Sequence, residues 1–230
     1  VANGASANAT DVTGLSPANP VGNTGRTLVF TAADGNTTTG WAIASNLVAT
    51  ANNDIIDVRG FAVTGTINGG AGVNTLSARD GANISGAAQF ANVTGLTFDA
   101  TGVAGTNDLT MTAAQHAAFT GTVTATGTGA NGENIIGSAA GAFGTALAGV
   151  ENYSLVGGST ITVNAATTGV NLTASNAGAS TVTIGGNTVT GTYTLANAAD
   201  VLVATTGANI TGVNAGAATT AEKLNIDGTV

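Results

Sequence analysis

Apolar residues alternate with threonine or another polar residue along most of this chain, and glycine or asparagine breaks the alternation at short intervals. The stretches Thr122–Thr126, Ser159–Val163, Val170–Thr173, Thr181–Ile184, Thr188–Thr190, Thr192–Leu195 and Asp200–Val203 each place their apolar side chains on one face. That period of two predicts short half-buried strands. Earlier in the chain, Arg26–Thr31 reads as a strand closed by the turn Ala33-Asp34-Gly35-Asn36, and Trp41–Ala49 reads as strand, bend, strand. Asn52–Gly60 and Phe61–Ile67 follow, the latter alternating at Phe61 and Val63 and, after a slip, at Ile67. In Ile67–Leu76, Gly69, Gly70 and Gly72 make a corner, and Val73 and Leu76 are the residues expected to point inward. One segment departs from this pattern. Thr112–Phe119 is alanine-rich, with Thr112 and Gln115 spaced as a capping box, which predicts a short helix ending at Thr120-Gly121.

A motif Gly-x-Asn-Ile-x-Gly occurs at 81–86, 132–137 and 207–212. Each copy is followed by an alanine-rich bridge and a strand, at Leu96–Asp99, Tyr153–Gly157 and Leu224–Gly228. Uneven spacing between the copies predicts coils of variable length with insertions. The fold expected is all-β: an elongated β-solenoid, parallel β-helix-like, with irregular coils and one short helix; β-sandwich modules are the alternative. Residues 1–24, which hold the two prolines Pro17 and Pro20, read as a flexible N-terminal arm. Residues 25–230 read as a repetitive β domain with a candidate split near 128–132. The stop at Val230, directly after a strand, suggests a fragment of a longer chain.

Composition narrows the role. Only 7% of the 230 residues are charged, 35 are glycine, 4% are aromatic and none is cysteine. Small side chains suit thin, repetitive β layers. The net charge is −8, and the basic residues are Arg26, Arg59, Arg79 and Lys223. Four scattered cations cannot track a phosphate backbone or an anionic membrane surface, so neither is expected as a partner. No apolar run reaches the ~20 residues of a membrane-spanning helix. Acidic balance, scarce lysine and absent cysteine together point to an extracellular bacterial protein. Catalysis is not expected. The best carboxylate pairs, Asp54/Asp57 and Asp99/Asp108, fall on predicted corners, and there is no nucleophile elbow or phosphate-cradling loop. His116, the sole histidine, has no second ligand to join it at a zinc site and reads as a surface or turn residue.

Oxygen-bearing side chains do cluster at Asn53, Asp54 and Asp57, where they could hold calcium or simply cap a turn and pair with Arg59. Gly69–Leu76 differs at one position from the Gly-Gly-x-Gly-x-Asp-x-apolar nonapeptide of calcium-binding β-rolls, with Asn74 in place of the aspartate. With Leu109–Gln115 and Val150–Leu155, these stretches resemble the glycine/threonine/alanine-rich β-strand-repeat proteins of Gram-negative bacteria. That group includes surface-layer proteins and type I secreted adhesins allied to the RTX family. The resemblance implies secretion, packing at the cell surface and calcium, to be held by Asp54, Asp57, Asn74, Asp99 and Asp108. The function expected is therefore a structural subunit of an extracellular surface layer or fibre that self-associates through β-rich repeats. An adhesin or a solenoid module that binds glycan or ice is the alternative, with threonine rows such as Thr181/Thr183 as its surface.

Overall fold

The computed structural model describes residues 27–29, 42–43, 46–49, 53–99, 107–126, 132–164, 170–175, 177–185, 191–197, 199–204, 212–214 and 223–226. The expected arm over residues 1–24, the strand at Thr188–Thr190 and all but the last residue of the 207–212 motif lie outside them. In chain order, β1 (Thr27–Val29), β2 (Ala42–Ile43) and β3 (Leu47–Val48) make one coil. The next holds β4 (Ile55–Arg59), β5 (Ala62–Val63) and β6 (Thr66–Asn68), and the next β7 (Thr75–Arg79), β8 (Ala82–Asn83) and β9 (Gln89–Ala91). β10 (Gly95–Asp99) and β11 (Asn107–Met111) then lead into α1 (Ala113–Ala118), followed by β12 (Val123–Ala125), β13 (Glu133–Gly137) and β14 (Ala142–Thr145). After that each coil carries two strands: β15 (Asn152–Leu155) with β16 (Thr160–Val163), and β17 (Asn171–Ala174) with β18 (Thr181–Ile184). The last two are β19 (Thr192–Leu195) with β20 (Val201–Ala204), and β21 (Gly212–Asn214) with β22 (Lys223–Ile226).

Corresponding strands of successive coils pair in parallel. Sheet A stacks β1-β4-β7-β10-β12, sheet B has nine strands from β2 to β21, sheet C stacks β3-β6-β9 and sheet D stacks β14-β16-β18-β20-β22. This is a β-solenoid, the expected fold rather than sandwich modules. Sheet B runs directly from β11 to β13, pairing Asn107 with Glu133. The repeat is steadier than the motif spacing suggests. Ile55, Thr75 and Gly95 stack at intervals of twenty residues, as do Thr181 and Val201; the interval is longer from Thr27 to Ile55 and, around α1, from Leu96 to Val123.

Stacking of like on like explains why the alternation folds this way. Ile161, Val182 and Leu202 form one inward column of sheet D, while Thr160 and Thr181 stand outside it. Burying such β-branched and aliphatic side chains is worth about 1.5–3 kcal/mol each. The corners must be tight for the columns to meet: a β-carbon at Gly191 would overlap the Val170 carbonyl of the coil beneath. Gly70 and Gly72 sit at φ 73° and 87°, where a side chain is strained.

The helix forms as its sequence predicts. Thr112 Oγ1 accepts from the Gln115 N–H at 3.2 Å, and Gln115 Oε1 accepts from the Thr112 N–H at 2.8 Å. Gln115 Nε2 also donates to the Ile84 carbonyl at 2.7 Å, so one side chain both caps the helix and ties it to the coil below. α1 occupies the place of a strand between β9 and β14, and sheet C gives way to sheet D across it.

Three expectations need correction. Val73 is 62% exposed and its neighbour Asn74 is fully buried, because the corner needs an amide inside to close its backbone bonds. His116 is buried, packed edge-on against Phe143 and Tyr153, because the helix inserts its inner face into the core. The Gly-x-Asn-Ile-x-Gly copies at 81–86 and 132–137 are out of phase. Asn83 aligns with Thr110 and so with Ile136, not with Asn134. The strands expected to follow the three copies fall in three different sheets. Composition, rather than coil position, produced that repeat.

Candidate functional site

Asp54 and Asn74 are the two candidate calcium residues that the coils bring together. They precede β4 and β7 on adjacent coils, and the Asp54 N–H donates to Asn74 Oδ1 at 2.9 Å. Asn74 Nδ2 donates to the Ala71 carbonyl at 3.1 Å and to the Asn92 carbonyl, in the next coil, at 2.9 Å. One amide therefore stitches its own corner, the coil below and the coil above. An aspartate could not donate, so asparagine is what this corner requires. These bonds also turn an NH2 group toward carbonyls that a cation would need, and this corner does not fit calcium.

The other three candidates stand apart from it. Asp57 Oδ1 accepts from the Arg59 N–H at 3.0 Å, supporting the left-handed conformation of Arg59 (φ 48°), and its carboxylate lies 3.8 Å from the Arg59 guanidinium. Asp99 faces Arg79 across sheet A at 3.6 Å and accepts from Thr126 Oγ1. Asp108 belongs to sheet B, where it accepts from Asn134 Nδ2 at 2.9 Å. Asn134 Oδ1 in turn accepts from Ser154 Oγ. Farther along, Asn171 Nδ2 donates to Asn152 Oδ1 and Asn171 Oδ1 accepts from the Thr192 N–H. Among the described residues no three His, Cys, Asp or Glu side chains converge as metal ligands.

Sequence reasoning passed over a pair of glutamates on adjacent coils. Glu133 opens β13 and is fully buried, and its N–H donates to Glu151 Oε2 at 3.0 Å. Burial pushes the Glu151 carboxyl up to about 7, against the Glu133 N–H, which favours its charged form. The two glutamates are eighteen residues apart, close to the coil length, which was the one signal that could have paired them. The pair joins adjacent coils through the Glu133 N–H.

A second buried polar chain surrounds the histidine. The Tyr153 hydroxyl accepts from the Leu147 N–H at 2.7 Å and lies 3.3 Å from His116 Nε2. The imidazole tautomer decides which of the two donates across that contact, and the Phe143 carbonyl also acts on the ring. Burial pulls His116 down to about 4, against the opposing effect of that carbonyl. Burial likewise raises Tyr153 well above the usual phenol range and Tyr193 to about 12. In sheet D the corners before β16, β18 and β20 are closed by Ser159, Ser180 and Asp200. Ser159 Oγ accepts from the Gly141 N–H, Ser180 Oγ from the Gly158 N–H, and Asp200 Oδ1 from the Ser180 N–H at 2.7 Å.

A shallow cleft of about 250 Å3 lies between Ser85–Phe90 and the start of α1, lined by Ala87, Ala88, Thr112, Ala114 and Gln115. It contains no ionisable group. On the outer side of sheet D, Thr160 and Thr162 lie in register with Thr181 and Thr183, and these with Val201 and Val203. No protein-family model, curated protein or solved structure matches the chain.

Proposed function

We propose that the chain is a structural segment of an extracellular assembly, a surface layer or fibre, and that it associates with further copies through its β stack. The supporting observation is how its polar side chains are used. Asn74, Asn134, Asn171, Ser180 and Asp200 each bond one coil to the next instead of converging on a common point. A chain built this way supplies stiffness and length. Parallel ladders extend by adding strands, and an unpaired edge is a template for another copy. Low charge and the lack of cysteine suit an exposed, repetitive layer at the cell surface. Calcium enters this reading as a variable of assembly rather than as a ligand of Asn74.

Light scattering and negative-stain microscopy, in millimolar calcium and then in chelator, test the proposal. Sheets or filaments that persist in chelator are the expected result. A monomer at high concentration in both conditions overturns it. A second reading, a solenoid module binding glycan or ice, is supported by the in-register threonines of sheet D; replacing Thr162 and Thr183 by lysine abolishes such binding if that face carries it.

A further inference from the structure

Among the described residues sheet C ends at β9, while sheets A and B continue past it. The direction of its backbone groups follows from two bonds. The Ala49 N–H donates to the Asn68 carbonyl, and the Gly69 N–H donates to the Ala91 carbonyl. In a parallel ladder one residue turns both of its groups to one neighbour, and the next residue turns both to the other. Asn68 therefore faces β3, Ile67 faces β9 and Ala91 faces back to β6. Phe90, in register with Ile67, points its N–H and its carbonyl away from β6. Neither group has a partner among the described residues.

The element that follows, α1, leaves this edge open. It packs on its other side against β14, where a β-carbon at Gly141 would overlap that of Ala113. Its first turn is closed by Thr112, and Gln115 Nε2 is taken by the Ile84 carbonyl. Between β9 and α1 lies the cleft of about 250 Å3, with Ala88 and Gln89 exposed on one wall and Ala114 on the other. Phe119, itself buried, packs edge-on against Phe90 at 5.6 Å and keeps the core closed, so the edge opens to the cleft. A backbone donor and acceptor left unmet on one strand are a template for an extended segment. The walls define its chemistry. Three of the lining residues are alanines and none is ionisable, so the segment that enters is uncharged and carries small side chains. This chain, only 7% charged and rich in glycine, meets that requirement along most of its length.

We propose that a second copy of this chain inserts an extended, uncharged segment between β9 and α1 and adds a strand to sheet C. The inference rests on the structural role argued above and names its joint. One carbonyl of the incoming segment accepts from the Phe90 N–H, and the N–H two residues farther on donates to the Phe90 carbonyl, which continues the ladder of β3, β6 and β9. The cleft and the segment that fills it are different surfaces. Such a contact is head-to-tail and repeats from copy to copy, the geometry that builds filaments or rings.

Residue-resolved amide exchange of the unmodified chain, dilute and then assembled, reads the joint without any variant. The Phe90 amide is expected to exchange freely in the dilute monomer and roughly a hundredfold more slowly in the assembly. A Phe90 amide that stays unprotected in the assembly overturns the proposal. So does protection already present in the dilute monomer, which means that the chain covers its own edge. Ala88→Lys combined with Ala114→Lys places a cation on each wall at exposed positions, and is expected to raise the concentration needed for assembly at least about tenfold, with exchange in β18 unchanged. Thr124→Lys, exposed on the outer face of sheet A, is expected to leave assembly as it was. An equal loss in Thr124→Lys makes added charge the cause and overturns the joint. Assembly of the double variant at the unmodified chain's concentration also overturns it, while the structural role stands; an unmodified chain that is monomeric at every concentration overturns both.

Discussion

From β4 to β10 three sheets enclose the core, and Ile56, Leu76, Leu96 and Phe98 of sheet A fill it. From β15 to β20 two sheets do so, with Tyr153, Leu172 and Tyr193 of sheet B and Ile161, Val182 and Leu202 of sheet D buried between them. The two regions share a coil length and differ in how corners are closed. In the three-sheet region one amide, Asn74, bonds to three coils at once. In the two-sheet region the work is divided among Ser159, Ser180 and Asp200, each linking a pair of coils. A concentrated corner is vulnerable to one substitution, whereas a distributed one loses stability in steps. α1 lies between the two regions because a helix can end one sheet and start another without leaving a strand edge on the core.

The largest effect expected is from Phe98→Ala, which empties a fully buried position in β10. It should cost about 3–5 kcal/mol, with exchange protection lost in β7 and β12 and retained in β18 and β20. Loss spread evenly over both regions would show that they unfold as one unit. Asn74→Ala comes next. It leaves the buried Asp54 N–H and two carbonyls without their partner, and about 2–4 kcal/mol is expected from one to three unmet groups. Ser180→Ala, measured beside it by denaturant unfolding, should cost no more than about 1–2 kcal/mol, since its hydroxyl accepts from one N–H.

Two tyrosines sharpen the contrast at smaller scale. Tyr153→Phe removes the acceptor of the Leu147 N–H and should cost about 1–3 kcal/mol. The Tyr193 hydroxyl is buried and has no partner among the described residues, so Tyr193→Phe should be neutral or stabilising. Equal losses from both substitutions would contradict this difference. The mildest effect is a titration. His116 is held near 4 in the folded chain, below its ordinary 6.5. Its contribution to stability is therefore present above about 6.5 and lost as pH falls toward 4. A proton-NMR titration of the imidazole showing a midpoint near 6.5 would mean that α1 does not bury it.

Strand positions were readable because a period of two is a property of the backbone. Leu172, Val182 and Leu202 are inside, as their alternation with polar residues implies. The helix was readable for the same local reason, since Thr112 and Gln115 bond across one turn. Corners were misread where a choice depended on the next coil. Val73 and Asn74 are adjacent, and hydrophobicity favours the valine inside. Three bonds to residues as far as twenty positions away place the asparagine there instead. The candidate carboxylates failed to converge for a related reason. Asp57 and Asp99 were taken up by arginines on sheet A, a pairing that only the register of β7 and β10 creates for Asp99.

By itself the sequence determined an all-β chain of short stacked strands, one capped helix and a surface poor in charge, because alternation, glycine corners and a capping box act within a few residues. The tertiary structure decided which strand lies over which. It brought Glu133 under Glu151, His116 against Tyr153 and Asn74 between three coils. Those contacts join residues about one coil apart or more, and nothing local to either partner distinguishes them until the coil length and register are fixed.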